Sequence, residues 1–426
     1  MEKNSELSSE EKYQLLRDIS FKIKDTFDLD IILNRLLDTL KNVMNYDAAG
    51  IFILSENISD LQYKFPGQKI SGIARRGYKR TDLTDEMLMH GKGIIGYVIK
   101  TGKSYIVDDV RIEPRYVVGR KKSLSEITVP ITINDKVIGA LDVESDKLSA
   151  FNENDLNLLK FFSDASAISI EKAIVHQQIL DKEKLEEQLQ IAKDVQFSLL
   201  PSEPPKVENY DIAAICIPTL EIGGDYFDYI SIGNKNLGIV IADVSGHGIP
   251  AALIMTSFRT LLRNLIKKDV EPHIIMNYLN EQIDEFCRRR DFITSVYGNL
   301  NVSEHSFTYT NCGHNSPIIL NSKGLLKELI KRGPSLNLVK KANYKPNTIR
   351  VKPGDSIILY TDGVTEIFND NGEEYGIERL KKVIKKSKNE SAEELIGSII
   401  NSTKEFSGDK FYNDDFTILV IKRKTD

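Results

Sequence analysis

Four acidic motifs in the second half of the chain combine apolar runs with carboxylates in a way that indicates a shared site. Asp243 ends the apolar run LGIVIAD, and Asp362 ends the run SIILYTD. Asp414 instead precedes the apolar run FTILVI. Each run has the composition of a buried strand, and in an antiparallel sheet the end of one strand lies beside the start of its neighbour. We therefore expect Asp243, Asp362 and Asp414 to converge at one edge of a sheet.

The fourth motif, EIGGDYFD at residues 221–228, has two glycines that let the backbone approach a ligand closely. Asp225 within it can join the same cluster directly or through water. Buried carboxylates without fixed cations repel one another unless they are protonated or neutralised by metal ions. Oxygen ligands select hard cations, so we expect two Mn²⁺ or Mg²⁺ ions that activate water for attack on a phosphate ester. Taken singly, each Asp-Gly pair could equally be an ordinary turn.

The composition sets limits on the rest of the protein. The chain has 426 residues, a formal net charge of -5 and three cysteines, Cys216, Cys287 and Cys312. The length indicates two or three domains, and the mild acidity argues against nucleic acid as the main partner. Three cysteines without CxxC spacing exclude a disulfide framework and a cysteine zinc site, and they fit a reducing compartment. The polar N-terminus and the lack of a long apolar run predict a cytoplasmic protein with no membrane segment.

Residues 12–175 alternate predicted helices and strands. The segment IILNRLLDTLKNVM has helical apolar spacing, and AAGIFIL has the composition of a short strand. The predicted strands EITVPITI and KVIGALDVE flank Asn134-Asp135, a hairpin-turn signal, and a helix is expected over residues 151–174.

The order of these elements, with GKGIIGYVIKTGKSYIVDDV between them, resembles a GAF domain. The resemblance implies a six-stranded antiparallel sheet with helices, a pocket on one face for an unknown small-molecule or protein signal, and dimerising terminal helices. His90 is interpreted as a loop residue rather than a haem ligand. The region contains no cysteine, so it cannot anchor a thioether-linked chromophore.

Residues 176–200 form a charged segment with no glycine and are predicted to be a helical linker. An apolar seam with one polar position follows a heptad spacing along it: Leu185, Leu189, Ala192, Gln196 and Leu199. Our preferred interpretation is a parallel coiled coil in a homodimer, and the alternative is a solvated connector packed on one domain. Pro201 ends the predicted helix.

Residues 201–426 resemble the SpoIIE/RsbU-like branch of the PPM (PP2C-type) serine/threonine phosphatases. The resemblance rests on EIGGDYFD, IADVSGHGIPAAL, FITSVYGNLN, YTNCGHNSPIIL, KPGDSIILYTDGVTE, YGIERL and NDDFTILVI, in the family order. It implies an αββα sandwich and hence a multidomain α+β chain. GGDYF also resembles the GGDEF signature of diguanylate cyclases, but that reading leaves TDG and DDFT unexplained.

The phosphatase resemblance also implies roles for individual residues. It makes Asp243 a bridge between two Mn²⁺ or Mg²⁺ ions, with the Val244 carbonyl as a backbone ligand. Asp362 and Asp414 complete one site, and Asp225 supports the other. The motif DVSGH displaces His247 by two positions from the family's DGH, so a general acid and a structural turn residue both stay open for it.

The function that this resemblance implies is the removal of phosphate from serine or threonine of a phosphorylated anti-anti-sigma (STAS) protein, under the control of the GAF domain. The contrasting hypothesis is a pseudophosphatase that binds such a partner without hydrolysing its phosphate. The presence of all four aspartates disfavours that alternative.

Overall fold

The structure is a computed structural model that describes residues 9–53, 73–78, 92–219, 222–233, 236–266, 270–288, 290–408 and 414–425. His90 and Glu221 lie outside the described residues. The chain divides into two compact units, residues 1–185 and 186–426. Across the described parts of both, no helix combines the length and the apolar character that crossing a lipid bilayer requires.

The first unit is built on a five-stranded antiparallel sheet. Its elements are α1 (Ser9–Ile23), α2 (Leu29–Val43), β1 (Ala48–Ile53), β2 (Ile73–Arg76), α3 (Gly93–Thr101), β3 (Tyr105–Val107), β4 (Ser125–Ile133), β5 (Lys136–Ser145) and the beginning of α4 (Glu153–Leu199). The strand order is β2-β1-β5-β4-β3. The GAF resemblance implies six strands, and the described residues contain five of them.

The two faces of this sheet bury different sets of side chains. Ile127 and Val143 belong to a core that also contains Leu36 of α2 and Phe162 of α4. The opposite face carries Phe52, which packs with the apolar side of α3. The predicted hairpin between β4 and β5 is confirmed, and both of its turn residues, 134 and 135, have positive φ.

Helix α4 is continuous where the sequence analysis expected a domain helix and a separate linker helix. It runs from Glu153 to Leu199 and ends at the predicted place, just before Pro201. No glycine or proline interrupts residues 153–199, so nothing in the local sequence ends the helix earlier.

The second unit contains most of the remaining elements. They are β6 (Tyr210–Ile217), β7 (Tyr226–Ile232), β8 (Asn236–Val244), α5 (Ile249–Ile266), α6 (Pro272–Gln282), β9 (Ile293–Asn301), β10 (Ser306–Cys312), β11 (Ile318–Leu320), β12 (Leu326–Glu328), β13 (Asn347–Arg350), β14 (Ser356–Tyr360), α7 (Gly376–Lys386), α8 (Ala392–Ser407) and β15 (Phe416–Arg423). Two short 3₁₀-helices cover residues 283–285 and 362–364.

These strands form two five-stranded sheets with the orders β13-β10-β9-β8-β7 and β12-β11-β14-β15-β6. The apolar core between them joins Ile239 and Val296 of the first sheet to Leu359 and Leu419 of the second. Helices α5 and α6 cover the outer face of the first sheet, and α7 and α8 cover that of the second. The predicted αββα sandwich is therefore confirmed.

Candidate metal centre

Asp243 lies near the end of β8, and the residues before it fix its position. Residues 240–242 are fully buried in the sandwich, and Asp243 pairs with Thr294 on β9. The Asp243 side chain is half-buried. Burial raises its pKa to about 8, and the charges of Asp362 and Asp414 add to that shift. The three carboxylates therefore interact electrostatically.

Asp362 and Asp414 lie at adjacent strand ends of the other sheet. Tyr360, the last residue of β14, pairs with Ile418 of β15. Asp362 begins the 3₁₀-helix that follows β14, and Asp414 precedes β15 by two residues. Burial raises the pKa of both carboxyl groups, and the charge of Asp362 adds to the effect on Asp414.

The three aspartates come from both sheets of the sandwich, so the expectation that one sheet edge gathers them is wrong. The rule that the end of one antiparallel strand lies beside the start of the next applies only to strands of the same sheet. Strand β8 belongs to one sheet and β14 and β15 belong to the other. Packing of the two sheets face to face brings the strand ends within electrostatic reach, and runs of apolar residues do not reveal sheet membership.

Asp225 is the most deeply buried of the four predicted site aspartates. It is 4% exposed and immediately precedes β7, which pairs with β8. The Thr361 hydroxyl donates a hydrogen bond of 2.8 Å to Asp225 Oδ2. Burial raises the pKa of Asp225 well above its usual range, and the charges of Asp243 and Asp415 raise it further. Asp225 therefore belongs to the same electrostatic cluster.

The two glycines before Asp225 allow contacts that a side chain would block. A Cβ atom on Gly224 would lie 2.9 Å from the Val244 carbonyl oxygen. A Cβ atom on Gly223 would lie 2.1 Å from Asp415 Oδ2. The two glycines thus pack between the Val244 carbonyl, which is predicted to be a backbone ligand, and the buried carboxylate of Asp415.

Asp415 is a residue beside the cluster that the sequence analysis did not single out. It is 8% exposed, whereas Asp414 is exposed. Asp415 Oδ2 accepts hydrogen bonds from the backbone N–H groups of Gly224 (2.7 Å) and Asp225 (3.4 Å), and Oδ1 accepts one from Thr219 N–H (2.9 Å). The carboxylate therefore holds the loop that carries Asp225. The sequence shows two adjacent aspartates, Asp414 and Asp415, but it does not show that one is exposed and the other is buried and bonded to the backbone.

Gln196 was also missed as a site residue, because the heptad pattern placed it in a dimer seam. Its Nε2 donates to the Gly223 carbonyl (2.7 Å), and its Oε1 accepts from the Gly223 N–H (3.2 Å). The side chain is 9% exposed. These paired hydrogen bonds connect the C-terminal part of α4 to the same loop that Asp415 holds.

The donor set suits a hard cation, because every predicted ligand is a carboxylate or carbonyl oxygen. Within the part of the chain that the structure describes, no three histidine, cysteine, aspartate or glutamate side chains stand close enough together to hold a metal ion as they are. The observation that fits a cation is instead electrostatic. Asp225 and Asp243 carry raised pKa values to which neighbouring carboxylates contribute.

Two histidines lie near the cluster in different surroundings. His247 is exposed in the turn between Gly246 and Gly248, and it partly offsets the rise in the pKa of Asp414 that burial causes. His314 is 2% exposed, and its Nδ1 lies 2.7 Å from the Thr294 hydroxyl. Burial lowers the pKa of His314 to about 4, so it is neutral at physiological pH. Of the two, only His247 is open to solvent.

Comparison with known proteins assigns each half of the chain. Residues 27–171 match the family model described as GAF domain, and residues 233–424 match the one described as Stage II sporulation protein E (SpoIIE). The phosphoserine phosphatase RsbU of Bacillus subtilis (strain 168) is 32% identical over 246 residues, which cover 57% of this chain and 72% of RsbU. The chain belongs to the RsbU-like SpoIIE family of PP2C-type phosphatases.

Further similarities agree with this SpoIIE family membership. The phosphoserine phosphatase RsbP of Bacillus subtilis (strain 168) is 25% identical over 183 residues, which cover 42% of this chain and 45% of RsbP. The solved SiaA-PP2C domain of Pseudomonas aeruginosa covers 57% of this chain and 98% of its own, with a TM-score of 0.51 and 20% identity. That likeness concerns the fold. The SpoIIE-type domain is thus a metal-dependent protein phosphatase domain by family, and a GAF domain precedes it.

Proposed function

We propose that this protein removes phosphate from serine or threonine of a phosphorylated anti-anti-sigma (STAS) protein. The observation that carries the proposal is the cluster of Asp225, Asp243, Asp362 and Asp414, whose pKa values burial and neighbouring carboxylates raise. Such a cluster gains most from divalent cations. Sequence similarity to RsbU supports phosphoserine as the substrate group.

The family resemblance names the residues that would hold two Mn²⁺ or Mg²⁺ ions, and the electrostatic interaction among their carboxylates supports that assignment. Asp243 would bridge both ions, with the Val244 carbonyl beside it. Asp362 and Asp414 would complete one site, and Asp225 would support the other. When bound, two such ions supply an activated water and stabilise negative charge on the phosphoryl group.

The surrounding residues hold this arrangement in place. Asp415 accepts hydrogen bonds from the backbone of the Asp225 loop, and Thr361 orients the Asp225 carboxylate. Gln196 holds Gly223 from the other side. The Asp225 side chain and the loop that carries it are therefore positioned by three neighbouring side chains.

We assign sensing to a GAF domain over residues 12–175, transmission to the linker 176–200 and catalysis to residues 201–426. The seam residues Leu185 and Ala192 are exposed in the single chain and Leu189 is partly exposed, which supports a homodimer paired through this helix. A signal at the GAF domain would then reach the catalytic unit along α4. Because the proposed STAS partner would act in the control of transcription, we propose that the reaction takes place in the cytoplasm.

The test is the release of phosphate from a purified serine-phosphorylated STAS protein by the full-length chain with Mn²⁺. We expect turnover that requires Mn²⁺ and is absent from Asp243→Asn. If p-nitrophenyl phosphate is hydrolysed but no phosphorylated STAS protein is, the substrate assignment is wrong. If neither is hydrolysed while the STAS protein still binds, the pseudophosphatase hypothesis is correct.

A further inference from the structure

His314 is a buried side chain beside the candidate metal centre that the proposed function does not use. It follows β10 and is 2% exposed. Its Nδ1 lies 2.7 Å from the hydroxyl of Thr294 on β9. Its Nε2 is buried and forms no hydrogen bond with the described residues. Because an unpartnered buried polar atom destabilises a fold, a histidine in this place is more typical of a functional site than of an ordinary core.

The backbone around His314 is held by its neighbours. Asn311 Oδ1 accepts a hydrogen bond from the His314 N–H at 2.9 Å, and Asn311 Nδ2 donates one to the His314 carbonyl at 3.1 Å. Gly313 has a positive φ of 74°, and a Cβ atom there would lie 2.2 Å from the Ser335 hydroxyl oxygen. The turn therefore presents the imidazole to β9 from a fixed backbone.

Thr294 lies directly opposite Asp243 in the pairing of β9 with β8. Residues in such a pair point to the same face of the sheet, with Cβ atoms about 4.5–5.5 Å apart. Ile241 on β8 and Val296 on β9, each two residues away, belong to the core between the two sheets. Asp243 and Thr294 therefore both face the second sheet, which is followed at one strand end by Asp362.

The proton in the contact between Thr294 and His314 is assigned to the threonine. Burial lowers the pKa of His314 to about 4, so the ring is neutral and only one of its nitrogens carries a proton. The backbone of Tyr360 partly offsets that fall in the pKa, so its carbonyl lies close to the ring, although outside hydrogen-bond geometry. Because Nδ1 faces Thr294, this carbonyl favours a proton on Nε2. Nδ1 is then the acceptor, and the Thr294 hydroxyl donates to it.

His314 thus lies between the two strand ends that carry aspartates of the cluster. Thr294 is opposite Asp243 in the first sheet, and Tyr360 ends β14 of the second sheet two residues before Asp362. Among the described residues, no group donates a hydrogen bond to the Asp243 carboxylate. Packing against its neighbours must therefore set the direction of that carboxylate, and Thr294 is the neighbour on β9.

We propose that His314 is a positioning residue of the phosphatase, which holds the Thr294 side chain and through it the direction of the Asp243 carboxylate. The inference rests on the proposed function, because it takes Asp243 as a ligand of the cations. Since His314 is almost fully buried, its role is indirect and it does not contact the phosphoprotein. Removing a group that orients a metal ligand typically weakens metal binding by about 10- to 100-fold.

The test is calorimetric titration of the metal-free full-length protein with Mn²⁺, which measures binding without turnover. His314→Leu removes the acceptor but keeps a side chain of similar size, and Thr294→Val removes the donor but keeps its shape. We expect each variant to bind Mn²⁺ about tenfold more weakly or worse. The double variant should bind no more weakly than either single variant, because both changes break the same hydrogen bond.

Two further variants separate positioning from packing. His314→Asn keeps an acceptor bonded to Cγ, as Nδ1 is, so it should bind Mn²⁺ nearly as tightly as the wild type even if its Tm falls. Thr310→Val is the matched control for Thr294→Val, because Thr310 is a buried threonine on β10 whose hydroxyl donates to the Lys345 carbonyl. It should leave Mn²⁺ binding unchanged.

The inference is overturned if either His314→Leu or Thr294→Val binds Mn²⁺ as tightly as the wild type, or if His314→Asn loses as much affinity as His314→Leu. Asp243→Asn in the same titration separates this failure from that of the proposed function. If Asp243→Asn binds Mn²⁺ normally, the metal assignment is wrong and both proposals fall. If Asp243→Asn loses affinity and His314→Leu does not, the inference about His314 alone is wrong.

Discussion

At the residue scale, aspartates in and around the site have different roles. Asp225 faces the cluster and has a raised pKa, while Asp415 uses its oxygens on backbone N–H groups. Asp228 is fully buried but forms a two-nitrogen ion pair with Arg263 and accepts a hydrogen bond from Tyr226. Residue type does not separate these roles, but the partner atoms do.

Replacing Asp243 or Asp362 by Asn should abolish activity and leave the fold largely intact. Loss of a direct carboxylate weakens the hold on the cations, so the fall in kcat/KM should exceed the about 10- to 100-fold typical of outer-shell changes. Near-normal Mn²⁺-dependent hydrolysis of p-nitrophenyl phosphate by either variant would rule out the metal assignment. His247→Ala should cost less than either aspartate variant if His247 is a turn residue.

Asp228→Asn is the matched control on β7. It breaks the ion pair with the partly exposed Arg263, so we expect a loss of about 1–3 kcal/mol in the free energy of unfolding. The Mn²⁺ concentration that gives half-maximal activity should stay close to that of the wild type. A large rise in that concentration would show that charge loss anywhere near the site imitates ligand loss, and it would weaken the reading of Asp243→Asn.

At the element scale, α4 is the feature that connects sequence pattern to site geometry. The sequence predicted its end before Pro201, because helix signals are local. It did not predict the contact of Gln196 with Gly223, which lie 27 residues apart in the chain. The sheet membership of Asp243 escaped prediction for the same reason. Strand periodicity is local, whereas strand order depends on the tertiary fold.

Gln196→Ala should raise the Mn²⁺ concentration needed for half-maximal activity, because it removes both hydrogen bonds between α4 and the loop before Asp225. An effect of about 10-fold is typical of a group that positions a ligand. Gln190→Ala is the control, since Gln190 is exposed on the same helix and bonds only Asp194 in the described structure. If both variants need the same Mn²⁺ concentration for half-maximal activity, α4 does not influence the site through Gln196.

Insertions in α4 test whether helix phase matters. One alanine after Lys184 rotates the downstream helix by about 100°, whereas seven residues restore the heptad phase. We expect the single insertion to change basal turnover strongly and the heptad insertion to preserve it. If the enzyme is indifferent to both insertions, or if the full-length protein is strictly monomeric, the linker is a passive tether.

At the scale of the whole molecule, cation binding and stability should be linked. The Asp243 carboxyl ionises near pH 4 in an unfolded chain, but its pKa is about 8 in the metal-free fold. Between these values the folded state holds a proton that the unfolded state has lost, so the metal-free protein loses stability as pH rises. A cation bound at Asp243 would take the place of that proton.

Mn²⁺ should therefore raise the Tm of the second unit more at pH 8 than at about pH 6. Differential scanning calorimetry of the full-length protein with and without Mn²⁺ measures both shifts. In Asp243→Asn the difference between the two pH values should shrink. A Mn²⁺-induced shift that is the same at both pH values in the wild type would contradict the linkage.

The central claim is that the four aspartates at the strand ends of both sheets hold two divalent cations. The most direct measurement is an anomalous difference map, recorded at the manganese absorption edge, from a crystal grown with Mn²⁺. We predict two peaks, both in contact with Asp243, one also beside Asp362 and Asp414 and the other beside Asp225 and the Val244 carbonyl. Peaks elsewhere, or no peak at Asp243 in an enzyme that needs Mn²⁺, would contradict the account.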